Sequence, residues 1–64
     1  MGATLSGTVR EVGEGFILIG NARIAVSSHV RPEGLSQGNR VRVRVRLRGA
    51  NWIAEDIQLV GPNE

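Results

Sequence analysis

Residues 40–48 alternate between arginine and aliphatic side chains without exception, and this alternation is the strongest constraint on the fold. The segment reads Arg-Val-Arg-Val-Arg-Val-Arg-Leu-Arg. Successive side chains of a β-strand point to opposite faces of the sheet, so the pattern predicts a half-buried strand. The residues expected to face a core are Val41, Val43, Val45 and Leu47. The other face carries five arginines, which we call the arginine ladder: Arg40, Arg42, Arg44, Arg46 and Arg48.

Period-two patterns separated by glycine-rich turns also run through the rest of the sequence. No stretch keeps the i, i+3, i+4 apolar spacing of an amphipathic helix, so we predict an all-β protein. The predicted strands cover about residues 3–12, 16–19, 22–26, 40–48 and 52–60. The connection over residues 27–38 is rich in proline, glycine and serine, and we predict at most one helical turn there, anchored by Val30 and Leu35.

Gly20 and Asn21 predict a two-residue hairpin turn of type I′ or II′ between the second and third strands. Such a turn pairs Ile19 with Ala22, which determines the register of the hairpin. The residues then expected to face the core are Ile17, Ile19, Ala22, Ile24 and Val26. The residues expected to face outward are Phe16, Leu18, Arg23 and Ala25. Phe16 would either belong to a contact surface or pack under a loop as peripheral core.

The last predicted strand breaks its own alternation. Its apolar residues change parity between Ala54 and Ile57. A β-bulge at Glu55 and Asp56 would insert one extra residue and return all the apolar side chains to the core face. The apolar residues concerned are Trp52, Ala54, Ile57 and Leu59.

A chain of 64 residues forms one domain, and a chain this short buries only about 60% of the surface that its unfolded form exposes. It has no cysteine and one histidine, so we expect no disulfide, no metal site made by this chain alone and no cofactor. Closing the strands into a barrel would protect their edges. We therefore predict a small five-stranded barrel, closed or partly open, over residues 3–60, with a frayed tail at residues 61–64.

Several classes of protein are not expected. No apolar run approaches the roughly 20 residues that span a bilayer, and no secretory signal opens the chain, so we expect a cytoplasmic protein without a membrane partner. Ser27, Ser28 and His29 are adjacent and cannot adopt the geometry of a catalytic triad. Glu55 and Asp56 would diverge on a regular strand and do not form an acid–base pair. We expect neither an enzyme nor a small-molecule substrate.

Four short motifs occur in the order found in a known family. They are Gly7-Thr8-Val9-Arg10, Gly15-Phe16 with Ile19, Leu35-Ser36-Gln37-Gly38-Asn39, and Ala54 with Ile57. Over most of its length the chain resembles cold-shock domains. The resemblance implies a five-stranded OB-type barrel that binds single-stranded RNA or DNA, with bases stacked on aromatic residues of the second and third strands. The element order also resembles the barrel of bacterial translation initiation factor 1 and OB modules that serve only in protein assembly.

The aromatic motifs of the cold-shock family are incomplete in this chain. The first family motif reads basic-Gly-Phe-Gly-Phe-Ile, whereas residues 14–19 read Glu-Gly-Phe-Ile-Leu-Ile, so Phe16 is the one stacking aromatic that is kept. The second motif falls on Ala25 and Ser27, where the Phe and the His of the family are replaced. A nucleic-acid site on this chain would therefore centre on the arginine ladder.

The arginine ladder holds five of the eight basic residues, whereas the other three are outnumbered by six acidic residues. Arginine forks bind phosphate oxygens, so we predict sequence-tolerant binding of single-stranded nucleic acid, either RNA or DNA. In an OB-type barrel the fourth strand pairs with the first, which would add the hydroxyl groups of Thr4, Ser6 and Thr8. The predicted site residues are Arg40, Arg42, Arg44, Arg46 and Arg48, with help from Arg10, Phe16 and Arg23.

Other roles for these residues stay open. The ladder could be a solubilising face whose arginines pair with Glu55, with Glu11 or with acids of a second subunit, or it could bind an acidic protein or a membrane surface. The alternative function is an assembly module, in which a barrel edge or the face of Phe16 and Leu18 forms a homo-oligomer. Trp52 could be the main core residue or could stack on a base.

Overall fold

Five β-strands make up the secondary structure of the computed structural model, which describes residues 2–62. They are β1 (Gly2–Gly13), β2 (Phe16–Ile19), β3 (Ala22–Ala25), β4 (Asn39–Arg48) and β5 (Asn51–Pro62). No helix in this part of the chain is long and apolar enough to cross a membrane. β5 continues through residues 61 and 62, the first half of the predicted tail, and residues 63 and 64 lie outside the described residues.

The five strands form one sheet that closes on itself. They hydrogen bond in the order β1-β2-β3-β5-β4, and β4 pairs with β1 to complete the ring. All neighbouring strands are antiparallel except β3 and β5, which pair in parallel over Ile24 opposite Trp52 and Ala25 opposite Ile53. The predicted all-β class and the small five-stranded barrel, closed or partly open, are confirmed.

The β2–β3 hairpin has the register that its turn residues predict, with Ile19 opposite Ala22. Gly20 has a φ of 57°, whereas Asn21 does not have a positive φ. A positive φ at the first central residue alone is the pattern of a type II′ turn, which selects glycine at that position. Of the two predicted turn types, the structure therefore contains type II′.

The interior of the barrel is filled by aliphatic side chains from all five strands and from the connection between β3 and β4. The buried core residues are Val9, Ile17, Ile19, Ile24, Val26, Leu35, Val41, Val43, Val45, Ala54 and Ile57. Leu35 reaches the core from the connection, which consists of turns and contains no helix, and Val30 packs against the same cluster. The core residues predicted for the β2–β3 hairpin are confirmed, with Ala22 at the edge of the cluster.

A β-bulge interrupts β5 where the sequence pattern changes parity. Asp56 lies opposite Arg44 and Ala54 lies opposite Val45, so Glu55 has no partner on β4. The extra residue lets both Ala54 and Ile57 reach the core, which confirms the predicted bulge.

Three residues expected in the core are partly exposed instead. Leu47 is 42% exposed, Trp52 is 36% exposed and Leu59 is 43% exposed. Leu47 and Trp52 are opposite each other and share the inward parity of Val45, but the core stops at Val45 and Ala54. The expectation that Trp52 is the main core residue is therefore wrong. We call residues 47–52 the hairpin tip.

Candidate nucleic-acid interface

The arginine ladder lies on the outer face of β4, as the alternation predicts. Val41, Val43 and Val45 point into the core, and the five arginines between and beside them are exposed. Alternate residues of a strand are about 6.7 Å apart, so the ladder is roughly 27 Å long. Because β4 is hydrogen bonded to β1 on one side and to β5 on the other, its backbone holds this spacing.

Polar side chains lie beside the ladder on both neighbouring strands. On β1 the residues opposite Arg40, Arg42 and Arg44 are Thr8, Ser6 and Thr4, as predicted. On β5 the residues opposite Arg42, Arg44 and Arg48 are Gln58, Asp56 and Asn51. Sequence reasoning missed Gln58 and Asn51 as neighbours of the ladder. Counting the register outward from the β4–β5 turn and through the predicted bulge would have found both.

Glu55, the bulged residue of β5, places one carboxylate within the ladder. Its Oε2 lies 3.1 Å from Nε of Arg46, and its Oε1 lies 3.9 Å from Nε of Arg44. The Glu55 side chain is 37% exposed, so solvent screens both ion pairs and each contributes about 0–1 kcal/mol to stability. The pairing of the ladder with Glu55 is confirmed, whereas Glu11 forms no ion pair with any described residue.

The other three arginines of the ladder, Arg40, Arg42 and Arg48, have no ion-pair partner within residues 2–62. Neighbouring charges about 6.7 Å apart repel each other by roughly 0.6 kcal/mol in water, before salt screening. The Glu55 carboxylate therefore compensates two arginines, Asp56 lies opposite one of these two, and the remaining cations face solvent. Binding of a polyanion would relieve this repulsion.

Arg10 is directed away from the ladder. It is the extra residue of a β-bulge in β1, between Val9 and Glu11. Its Nη1 donates a hydrogen bond of 2.7 Å to the carbonyl oxygen of Gly20, in the β2–β3 turn. β2 and β4 lie on opposite sides of β1, so the structure does not bring Arg10 to the ladder.

Phe16 and Arg23 lie together on the outer face of the β2–β3 hairpin. The guanidinium carbon of Arg23 is 4.3 Å from the centroid of the Phe16 ring, a cation–π contact. A Cβ atom at Gly13 would collide with the same ring, which shows how closely Phe16 packs against the β1 backbone. Phe16 is half-buried by these contacts, which come from the end of β1 and from Arg23, and the contact surface predicted for it stays a prediction.

The Phe16 contact and the ladder are connected across the sheet, although they are not adjacent. Phe16 is opposite Ala25, Ala25 is opposite Ile53, and Ile53 is opposite Arg46. The path from Phe16 to Arg46 therefore crosses three strand spacings, which amount to about 14 Å. Phe16 and Arg23 therefore lie on a neighbouring face of the barrel, beyond direct contact with a ligand that only follows β4.

The structure brings together only some of the predicted site residues. The five ladder arginines share one face, and the hydroxyl side chains of β1 lie beside them. Arg10 donates a hydrogen bond to the β2–β3 turn, and Phe16 and Arg23 contact each other on a separate face of the barrel. Comparisons with models of protein families, with curated proteins and with solved structures find no match to this chain.

Proposed function

We propose that this protein binds single-stranded nucleic acid, RNA or DNA, through the arginine ladder and with little sequence preference. The observation that carries the proposal is the row of five exposed arginines on one strand, three of them without an ion-pair partner among the described residues. Arginine forks bind phosphate oxygens, and phosphate contacts do not depend on the base. Thr4, Ser6 and Thr8 supply further hydrogen-bond donors along one side of the row.

A single strand fits the ladder better than a duplex does. The phosphates of a duplex keep a fixed path around the duplex axis, so a row about 27 Å long on one strand would meet few of them in succession. A flexible single strand can extend along the row and place one phosphate after another against the guanidinium groups.

Salt dependence is the direct test of phosphate contacts. With four or five phosphates neutralised, we expect a plot of log affinity against log salt concentration to have a slope near −3, because each single-strand contact contributes about −0.7. Affinity would then fall about sixtyfold between roughly 50 and 200 mM salt. Fluorescence anisotropy of a labelled oligothymidylate measures both values.

No detectable binding at low salt would contradict the proposal. Size-exclusion chromatography with light scattering on the same sample then tests the assembly alternative. A protein that binds no oligonucleotide but forms a stable oligomer at high concentration would support an assembly module.

Replacing Glu55 with glutamine should strengthen nucleic-acid binding several-fold. The carboxylate of Glu55 holds Arg44 and Arg46, so a phosphate must displace it or share them with it. Its removal should also make the salt slope steeper by about 0.7 for each arginine released. The variant is measured by the same anisotropy titration.

Glu14→Gln is the matched control for this variant. Glu14 lies in the β1–β2 turn and forms no ion pair with any described residue, yet its replacement changes the net charge by the same amount. Equal gains in affinity for the two variants would mean that net charge alone acts and that Glu55 does not compete with phosphate.

A further inference from the structure

The hairpin tip exposes apolar side chains at one end of the arginine ladder. Trp52 on β5 is opposite Leu47 on β4, and both are more than one-third exposed. The next inward pair, Val45 opposite Ala54, is buried. The tip therefore carries an aromatic residue just beyond the point where the core ends.

Trp52 lies between a buried residue on one neighbouring strand and an exposed residue on the other. Its lateral neighbour on β3 is Ile24, which is fully buried, and its neighbour on β4 is the exposed Leu47. An indole anchored at the edge of a core loses little conformational freedom when a ligand stacks on it, because it has only two χ angles. Trp52 is thus a partly packed aromatic side chain that water still reaches.

The last two arginines of the ladder lie at the hairpin tip or directly beside it. Arg46 and Arg48 flank Leu47 along β4 and project from the opposite face of the hairpin. The turn between the strands consists of Gly49 and Ala50, which have the smallest side chains. A nucleic-acid strand that leaves Arg48 can therefore pass over the turn to the face of Trp52 without meeting a bulky side chain.

The charge and the size of the tip favour a nucleobase over a second protein copy. Two copies joined at their tips would bring Arg46 and Arg48 of each together and add to the repulsion between cations, whereas a nucleic acid supplies the opposite charge. A stable protein interface buries about 800 Å² on each partner, far more than the exposed parts of two side chains provide. A base that stacks on an indole needs only one face of the ring.

We propose that Trp52 is a stacking site for one unpaired base of the strand whose phosphates lie along the arginine ladder. This inference rests on the proposed function and adds a base-contacting residue to it. The site takes any base, because every base presents a π-face. With a base stacked on Trp52, one end of the bound strand lies at the hairpin tip.

Intrinsic fluorescence tests the inference on the unaltered protein, because Trp52 is its single tryptophan and the chain has no tyrosine. The titrants are an oligothymidylate about ten nucleotides long and an abasic oligonucleotide of the same length and charge. Both should bind, as judged by competition with a labelled strand. The oligothymidylate should quench and shift the Trp52 emission, whereas the abasic strand should leave it nearly unchanged.

The Trp52→Leu variant gives a second readout that keeps the tip apolar. Its affinity for the oligothymidylate should fall about tenfold, and its affinity for the abasic strand should stay the same, which also shows that the ladder is intact. Binding of both strands by the unaltered protein with equal effects on Trp52 emission would overturn the stacking site and leave the proposed function standing. Binding of neither strand would overturn the proposed function, and the stacking site with it.

Discussion

Replacing Arg40, Arg42 and Arg48 together with glutamine should lower the affinity for a single-stranded oligonucleotide at least a hundredfold at low salt. These three arginines have no ion-pair partner among the described residues, so their guanidinium groups are the ones most available to phosphate. A hydrogen bond to a charged group contributes about 1.5–3 kcal/mol, and three are removed. The salt slope should become shallower by about 2, which the anisotropy titration measures.

The matched control replaces Arg10, Arg23 and Arg31 with glutamine, which removes the same total charge from other faces of the barrel. Arg10 and Arg31 donate hydrogen bonds to backbone carbonyl oxygens, and Arg23 lies over Phe16. We expect a much smaller loss of affinity for this variant, caused by long-range attraction alone. Equal losses for the two triple variants would show that binding follows net charge and that the ladder is not a site. Circular dichroism of both variants confirms that they remain folded.

The Ile24→Ala variant should be largely unfolded at room temperature. Ile24 is fully buried and lies between Ile17 on β2 and Trp52 on β5, at the short parallel pairing that completes the ring. Truncating a buried isoleucine costs about 2–5 kcal/mol, which is a large part of the stability available to so small a domain. Far-UV circular dichroism and thermal melting measure the loss.

Leu47→Ala is the control for that variant, because Leu47 is also aliphatic but is 42% exposed at the hairpin tip. We expect this variant to lower the free energy of unfolding by about 1 kcal/mol and to keep a cooperative melting transition. If the two variants melted at the same temperature, Ile24 would not be part of a tightly packed core. Saturating oligonucleotide should raise the melting temperature of the Leu47 variant, since a ligand that binds only the folded state stabilises it.

Local patterns in the sequence were sufficient to predict most of the fold. The alternation of β4 determines which side chains are inside, and Gly20 with Asn21 determines the hairpin register. The change of parity in the last strand predicts the bulge, because only one extra residue brings both Ala54 and Ile57 inside. Each of these features depends on neighbours a few residues apart, which is the range over which strand periodicity carries information.

The features that could not be predicted depend on how strands are staggered around the ring. The parity of Leu47 and Trp52 is correct, but parity does not tell where the core ends along a strand. The bulge at Arg10 coincides with a change of parity between Val9 and Val12, but parity alone does not reveal that the bulge turns the Arg10 side chain towards Gly20. The placement of the candidate site residues was therefore predictable along a single strand, and not where two or more strands meet.

The pairing of β4 along both of its edges has a consequence for selectivity among polyanions. A disordered arginine-rich segment can adjust the distances between its charges to any partner, whereas the rungs of this ladder are held about 6.7 Å apart by the strands on either side. A polyanion whose charges repeat at a similar distance can contact every arginine of the ladder at once. The backbone of β4 is already ordered, so binding loses no further conformational entropy there. One with a shorter or longer repeat engages only some of the rungs. Under the proposed function, the protein would thus distinguish polymers by the interval between their charges and not by their bases.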